Sequence, residues 1–243
     1  MKRKWISRTA ILLLFASIIV IVLWNSEKAD IVKSDVRDGT FAVADDARIM
    51  YVPSEGSYIH IYSDAQDLTS NSYNVIVGEI IGIEYIDERA IARTICTVKV
   101  HEVIAGEEIT ADTEIKILEY QGYCRLSRFV EVFGNDHFKD YDLSSADTEY
   151  FAYTAEGEPF VSVGEQYVYF LSPKLSSEEV DGEYFEIMGT FMGKYRIEND
   201  MCARYKPTED FYDTWTNGRI VKREGSLELN QLKNIVIETW EEN

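Results

Sequence analysis

The chain has 243 residues, 24 Lys+Arg against 43 Asp+Glu, and a formal net charge of -19. With 46% hydrophobic and 13% aromatic residues and only 4 Pro and 14 Gly, it can build a core, which excludes global disorder and collagen-like repeats. A surface this acidic repels phosphate backbones, and no basic patch follows Arg8, which argues against nucleic-acid binding.

Lys2, Arg3, Lys4 and Arg8 stand ahead of Ala10 to Trp24, AILLLFASIIVIVLW, an apolar run whose one polar member is Ser17. As a helix it would reach about 22 Å, short of a ~30 Å hydrocarbon core, with Thr9, Asn25 and a snorkelling Arg8 extending it. A retained signal anchor and the apolar region of a cleaved signal peptide both fit this length. Small residues are not paired at cleavage spacing, since Ala29 is preceded by Glu27 and Ser26 by Trp24, so the anchor is the preferred reading. The positive-inside rule then places residues 1–25 as cytoplasmic tip and membrane span, with everything after Asn25 outside the cell membrane.

Residues 26–67 read as an acidic stalk that merges into an extracytoplasmic β domain over 68–243. Asp64 to Ser72 suits a short helix. YNVIVGEIIGIEYI, Tyr73 to Ile86, reads as a long strand bent at Gly78 and Gly82, with positions 75, 77, 81, 83 and 85 on one face. ARTICTVKVHEVIAGE places Thr94, Cys96, Val98 and Val100 inward and Thr97, Lys99 and His101 outward. TEIKILEY follows as a strand with Ile115 and Ile117 in register. After an insertion over 121–159, FVSVGEQYVYFLSP carries a strand at Tyr167 to Leu171. YFEIMGTFMGKYRIEN then aligns Phe185, Ile187, Phe191, Tyr195 and Ile197. Asn217-Gly218 suits a hairpin turn, and Asn230 is placed to cap a helix from Gln231 to about Glu241 with Leu232, Ile235, Val236 and Trp240 on one stripe. The expected fold is mainly β: a small antiparallel OB-like barrel or sandwich behind the membrane helix, closed by a C-terminal helix.

The succession YNVIVGEIIGIEY, ICTVKVHEVIAGE, EIKILE, VGEQYVYFL and MGTFMGKYRI resembles a Gram-positive family of signal-anchored extracytoplasmic proteins. The resemblance spans roughly residues 68 to 243 and rests on strand patterns. It implies an OB-like barrel similar to netrin and metalloproteinase-inhibitor modules. The chain departs from that pattern at Asn74, where Asp is usual, at Ala105, where Lys is usual, and in its long insertion.

Nucleophile-elbow, HExxH, Walker A and Rossmann motifs are all absent, and His60, His101 and His137 show no paired ligand spacing. Cys124 and Cys202 lie in polar surroundings and are the pair that would form a disulfide if one bridge exists; three unpaired thiols are the alternative, with Cys96 as core. In the insertion, Asp140, Asp142, Ser144 and Asp147 concentrate oxygen ligands that would suit Ca2+. An EF-hand fails, because Ser145 and Phe151 occupy the places of its Gly and Glu. A solvated acidic loop is the other reading of that cluster. Tyr120, Tyr123, Phe129, Phe133, Phe138, Tyr141, Tyr150, Phe151, Tyr153 and Phe160 read mostly as core, with rim positions able to stack on sugar rings or a peptide.

The expected function is therefore a non-enzymatic, membrane-anchored binding module for an envelope protein or glycan, with no catalytic constellation. A protease-inhibitor-like module and a calcium-ordered envelope protein are the alternatives.

Overall fold

The computed structural model describes residues 41, 43, 47–54, 60–138, 143–205 and 224–243. The chain divides into Met1–Asp30 and Ile31–Asn243, and every described residue belongs to the second unit. The expected membrane segment from Ala10 to Trp24, Asp140 and Asp142, and the Asn217-Gly218 turn lie outside the described residues. Among the described residues, no helix is long and apolar enough to cross a membrane.

The fold is mainly β with a C-terminal helix. The first strand, β1 (Arg48–Ser54), comes from within the expected stalk and precedes helix α1 (Ala65–Asn71). Asp64 caps α1 by accepting the Asp67 N–H at 2.9 Å, which satisfies one of the orphan amides of the first turn. Strands β2 (Asn74–Ile86), β3 (Arg93–Ala105) and β4 (Glu114–Glu119) then form a meander. The insertion supplies β5 (Gly122–Arg125), helix α2 (Leu126–Phe133) and β6 (Glu149–Ala155). The chain continues through β7 (Gln166–Leu171), β8 (Leu175–Ser176), β9 (Glu183–Glu186), β10 (Lys194–Glu198), β11 (Met201–Arg204) and β12 (Leu227–Glu228). It ends in helix α3 (Leu229–Glu242).

These strands make a nine-stranded sheet in the order β12-β11-β10-β7-β2-β3-β4-β9-β8 and a three-stranded sheet in the order β1-β6-β5. Neither sheet closes on itself, so of the barrel or sandwich expected from the sequence the closed barrel is not formed. The outermost strands of the large sheet, β12 and β8, are two residues each and have no partner in each other. Nor is the pairing wholly antiparallel, because β4 with β9 and β1 with β6 run parallel.

Register shifts in the β2–β3 pair fall between Val75 and Ile76, Val77 and Gly78, and Ile80 and Gly82. Each extra residue rotates the side chains that follow, so the single face expected for positions 75 to 85 is broken. Val75 and Val77 pack with α1 and α3, Ile83 joins the opposite core, and Ile81 is exposed. Gly78 is required where the strands close: a Cβ there would meet Val98 Cγ1 at 2.4 Å.

The large sheet is covered on both faces. One core gathers Ile76, Ile80, Cys96, Val98, Ile117, Tyr169 and Leu171; the other sets Val75, Val168, Phe170 and Tyr195 against Leu68 of α1 and Leu232 and Val236 of α3. Thr94, Cys96, Val98 and Val100 all point inward as their alternation requires. Helix α3 differs from expectation at its start and on its stripe. Its N-cap is Glu228, without a side-chain cap bond, and Thr239 is buried while Trp240 faces solvent.

Candidate functional site

Among the described residues the expected site residues do not come together, and Asp140 and Asp142 lie outside those residues. Cys124 stands in β5 of the small sheet and Cys202 in β11 of the large one, and both are buried free thiols, as is Cys96. Of the calcium set, Ser144 lies exposed in a 3-10 turn, Leu143–Ser145, and Asp147 is exposed in the turn that follows. Among the described residues no group of three or more His, Cys, Asp or Glu converges as a metal site. His60 and His101 contact Asp67 and Glu79, each at 3.2 Å, on the surface.

What the fold does assemble is a buried ionic cluster with an open cleft beside it. Lys194 Nζ lies 2.7 Å from Glu119 Oε2 and 3.3 Å from Glu158 Oε1. The three residues are 3%, 4% and 6% exposed. Gln121 donates Nε2–H to Glu119 Oε2 at 2.9 Å, and the Cys96 thiol lies 3.8 Å from Glu119 Oε1. The Lys194 ammonium also stands 5.7 Å from the Tyr167 ring centroid.

Each member is placed by a local device. Glu119 is the last residue of β4 and shares its alternation with Ile115 and Ile117, so it points to the inner face. Glu158 follows a tight turn in which Glu156 and Gly157 take φ of 51° and 80°, and its N–H returns to Ala155 O at 2.9 Å. Lys194 opens β10 directly after the 3-10 turn Thr190–Gly193. Only glycine fits at 193, since a Cβ would meet the Met188 carbonyl oxygen at 2.3 Å.

Burial raises the Glu158 carboxyl to about 7; the Glu119 and Glu165 charges push the same way, and Lys194 opposes them. Burial would lower the Lys194 ammonium, but the two carboxylates outweigh it and hold Lys194 above its ordinary value. The Cys96 thiol is driven well upward, first by burial and then by the Glu119 charge, which leaves it an unreactive thiol.

Glu158 and Lys194 separate two spaces. On the inner side is a chamber of about 10 Å³, room for roughly one water-sized group, bounded by Glu119, Gln121, Thr190 and Phe191 as well. Gln121 Oε1 has no protein hydrogen-bond partner among the described residues. On the outer side is a cleft of about 440 Å³ walled by Phe160, Tyr167, Arg196, Asn199, Arg204 and Tyr205 among others. Its charges are internally matched. Arg196 meets Glu165 and Glu198, each at 3.1 Å; Arg204 donates to the Tyr62 and Ser63 carbonyls at 3.0 and 2.6 Å and lies near Glu224. Tyr205 donates its hydroxyl to Glu156 O at 3.1 Å, and Phe160 stacks on Tyr123 at 4.7 Å.

The arrangement holds no nucleophile paired with a histidine base. It offers planar carboxylate, amide and guanidinium groups beside aromatic rings, a lining suited to binding a neutral polar molecule with apolar faces. Sequence reasoning missed this cluster. One signal was available: Glu119 continues the inward alternation of Ile115 and Ile117, an acid in a core position that demands a buried partner.

Compared with known proteins, the chain matches no family model and no curated protein.

Proposed function

We propose that this protein is a membrane-anchored binding module that presents its cleft outside the cytoplasm to a neutral oligosaccharide of the cell envelope. The observation that carries the reading is the cleft beside the Lys194 cluster, with the half-buried rings of Phe160 and Tyr205 among matched charges. A phosphate or a strongly basic peptide would need an excess of one sign, which this lining lacks. A sugar needs aromatic faces for its C–H surfaces and both donors and acceptors for its hydroxyls, and those are present. The apolar run from Ala10 to Trp24 behind four basic residues supports the anchor and its orientation, and the strand succession's resemblance to signal-anchored extracytoplasmic proteins agrees with that address.

The test is saturation-transfer NMR and calorimetry on the full chain in detergent micelles, with chitotetraose and cellotetraose as probes. Binding of at least one tetrasaccharide, reduced at least tenfold by Tyr205→Ala and by Arg196→Ala, is the expected result. Failure of both sugars to bind, or binding indifferent to both substitutions, overturns the reading.

A further inference from the structure

The buried cluster contains one ammonium and two carboxylates, and so carries a residual negative charge if both acids are ionised. All three groups are more than nine-tenths buried, and an uncompensated charge at such depth is costly. A proton on one carboxyl removes the excess. The hydrogen bonds identify which one: Glu119 is held by Lys194 at 2.7 Å, by the Gln121 amide and by the Cys96 thiol, whereas Glu158 meets Lys194 at the longer 3.3 Å. Glu158 is the carboxyl with fewer hydrogen bonds to its charged form, so the proton belongs there.

We propose that Glu158 is a proton-operated gate of the cleft: protonated, it leaves the floor electrically balanced and the cleft able to hold its ligand, and its ionisation weakens binding. This rests on the glycan-cleft reading and adds regulation to it.

Geometry links the proton to the walls. Glu158 faces Lys194 of β10, Glu119 of β4, and Tyr167 of β7, with Glu165 immediately before that strand; Tyr205 and Arg196 complete the charged and titratable surroundings on the cleft side. The turn that carries Glu158 also carries two cleft contacts. Glu156 O accepts the Tyr205 hydroxyl, and Phe160 follows two residues later. An ionised Glu158 gains by turning toward water, and that movement displaces the Phe160 and Tyr205 walls together. The upward displacement of this carboxyl to about 7 sets the transition near neutrality, and Glu165, a like charge, helps hold it there.

The experiment uses the full chain in micelles with the tetrasaccharide probes of the binding test, from pH 5.5 to 8.5. In the wild-type protein the dissociation constant should rise with pH, approaching about tenfold per unit above the transition if the ionised form binds negligibly. Carbon-13 shifts of labelled glutamates should show one carboxyl titrating near neutrality. That signal should vanish in Glu158→Gln, which should bind at pH 8.5 as the wild type does at pH 5.5. Glu165→Gln should move the midpoint to lower pH by removing a like charge. A flat wild-type binding curve, or a Glu158→Gln variant that keeps the wild-type slope, overturns the gate while leaving the cleft reading intact. Absence of binding by both sugars at every pH sinks the cleft reading and the gate with it.

Discussion

Two buried ionic clusters can be set side by side. In the first, Asp87, only 1% exposed, accepts from the Arg125 backbone N–H at 3.1 Å and from its guanidinium twice at 2.8 Å; Arg128 lies 3.8 Å away. Both arginines reach solvent, Arg128 is itself paired with Glu131, and the Arg125 guanidinium covers the Phe41 ring at 4.6 Å. Charges match, and the cations are not fully desolvated. In the second, around Lys194, every member is buried and the acids outnumber the base. The first cluster fastens the β2–β3 connection to the start of α2. The second has one acid more than it has bases, and burial raises its Glu158 carboxyl to about 7, so its charge depends on pH. Matched pairs fix a structure, whereas mismatched ones titrate.

The sharpest way to probe that contrast is to remove a partner from each cluster. Lys194→Met should cost about 3 to 5 kcal/mol in denaturant unfolding at pH 7, because it removes the one cation shared by two buried acids. A loss under about 1 kcal/mol would mean that the acids are already neutral or hydrated, and the comparison would collapse. Asp87→Ala should cost less, about 2 to 3 kcal/mol, since the partly exposed Arg125 can turn to water. If it proved the more damaging change, exposure of the cation would not be what separates the two clusters.

A pH scan gives the next largest effect. Glu158 has a folded-state pKa raised above its value in the unfolded chain, so the folded protein holds the proton more tightly. Its contribution is fully present below the unfolded value of 4.5 and is lost as pH rises toward about 7. From this group alone stability should fall by up to about 1.4 kcal/mol per pH unit in that window. Wild-type melting curves should carry this slope and Glu158→Gln should not, whereas Asp87→Ala should retain it. Equal slopes in all three proteins would assign the pH dependence elsewhere.

The smallest stability change belongs to the cleft rim. Arg196, with its side chain half exposed, should tolerate Arg196→Ala within about 0.5 kcal/mol by thermal unfolding. Its effect should appear in sugar binding instead. A large stability loss would place Arg196 with the structural cluster rather than with the binding surface.

Much of the strand layout is legible in the residue order alone. The alternation of Thr94, Cys96, Val98 and Val100, the short helix within Asp64 to Ser72 and the terminal helix all follow from short-range periodicity. Where a bulge or 3-10 turn intervenes, the same periodicity misleads. Phe185 and Ile187, Phe191, and Tyr195 are expected on one face but enter three separate cores, because the turn Thr190–Gly193 reorients the chain between them. The long insertion shows its aromatic content and no sign that it pairs with β1, a partnership set by long-range parallel register.

The candidate site divides the same way. Its ingredients are ordinary residues in the sequence: a glutamate closing a strand, a glutamate in a turn and a lysine after a glycine, spread from position 119 to 194. Sequence by itself determined the mainly β character, the inward alternation of Cys96, Val98 and Val100 and the overall acidity, since these depend on neighbours along the chain. Only the tertiary structure decided that Lys194 stands between two carboxylates and that one of them borders an open cleft. Burial and charge balance are properties of groups brought together across the sheet, and no local pattern encodes them.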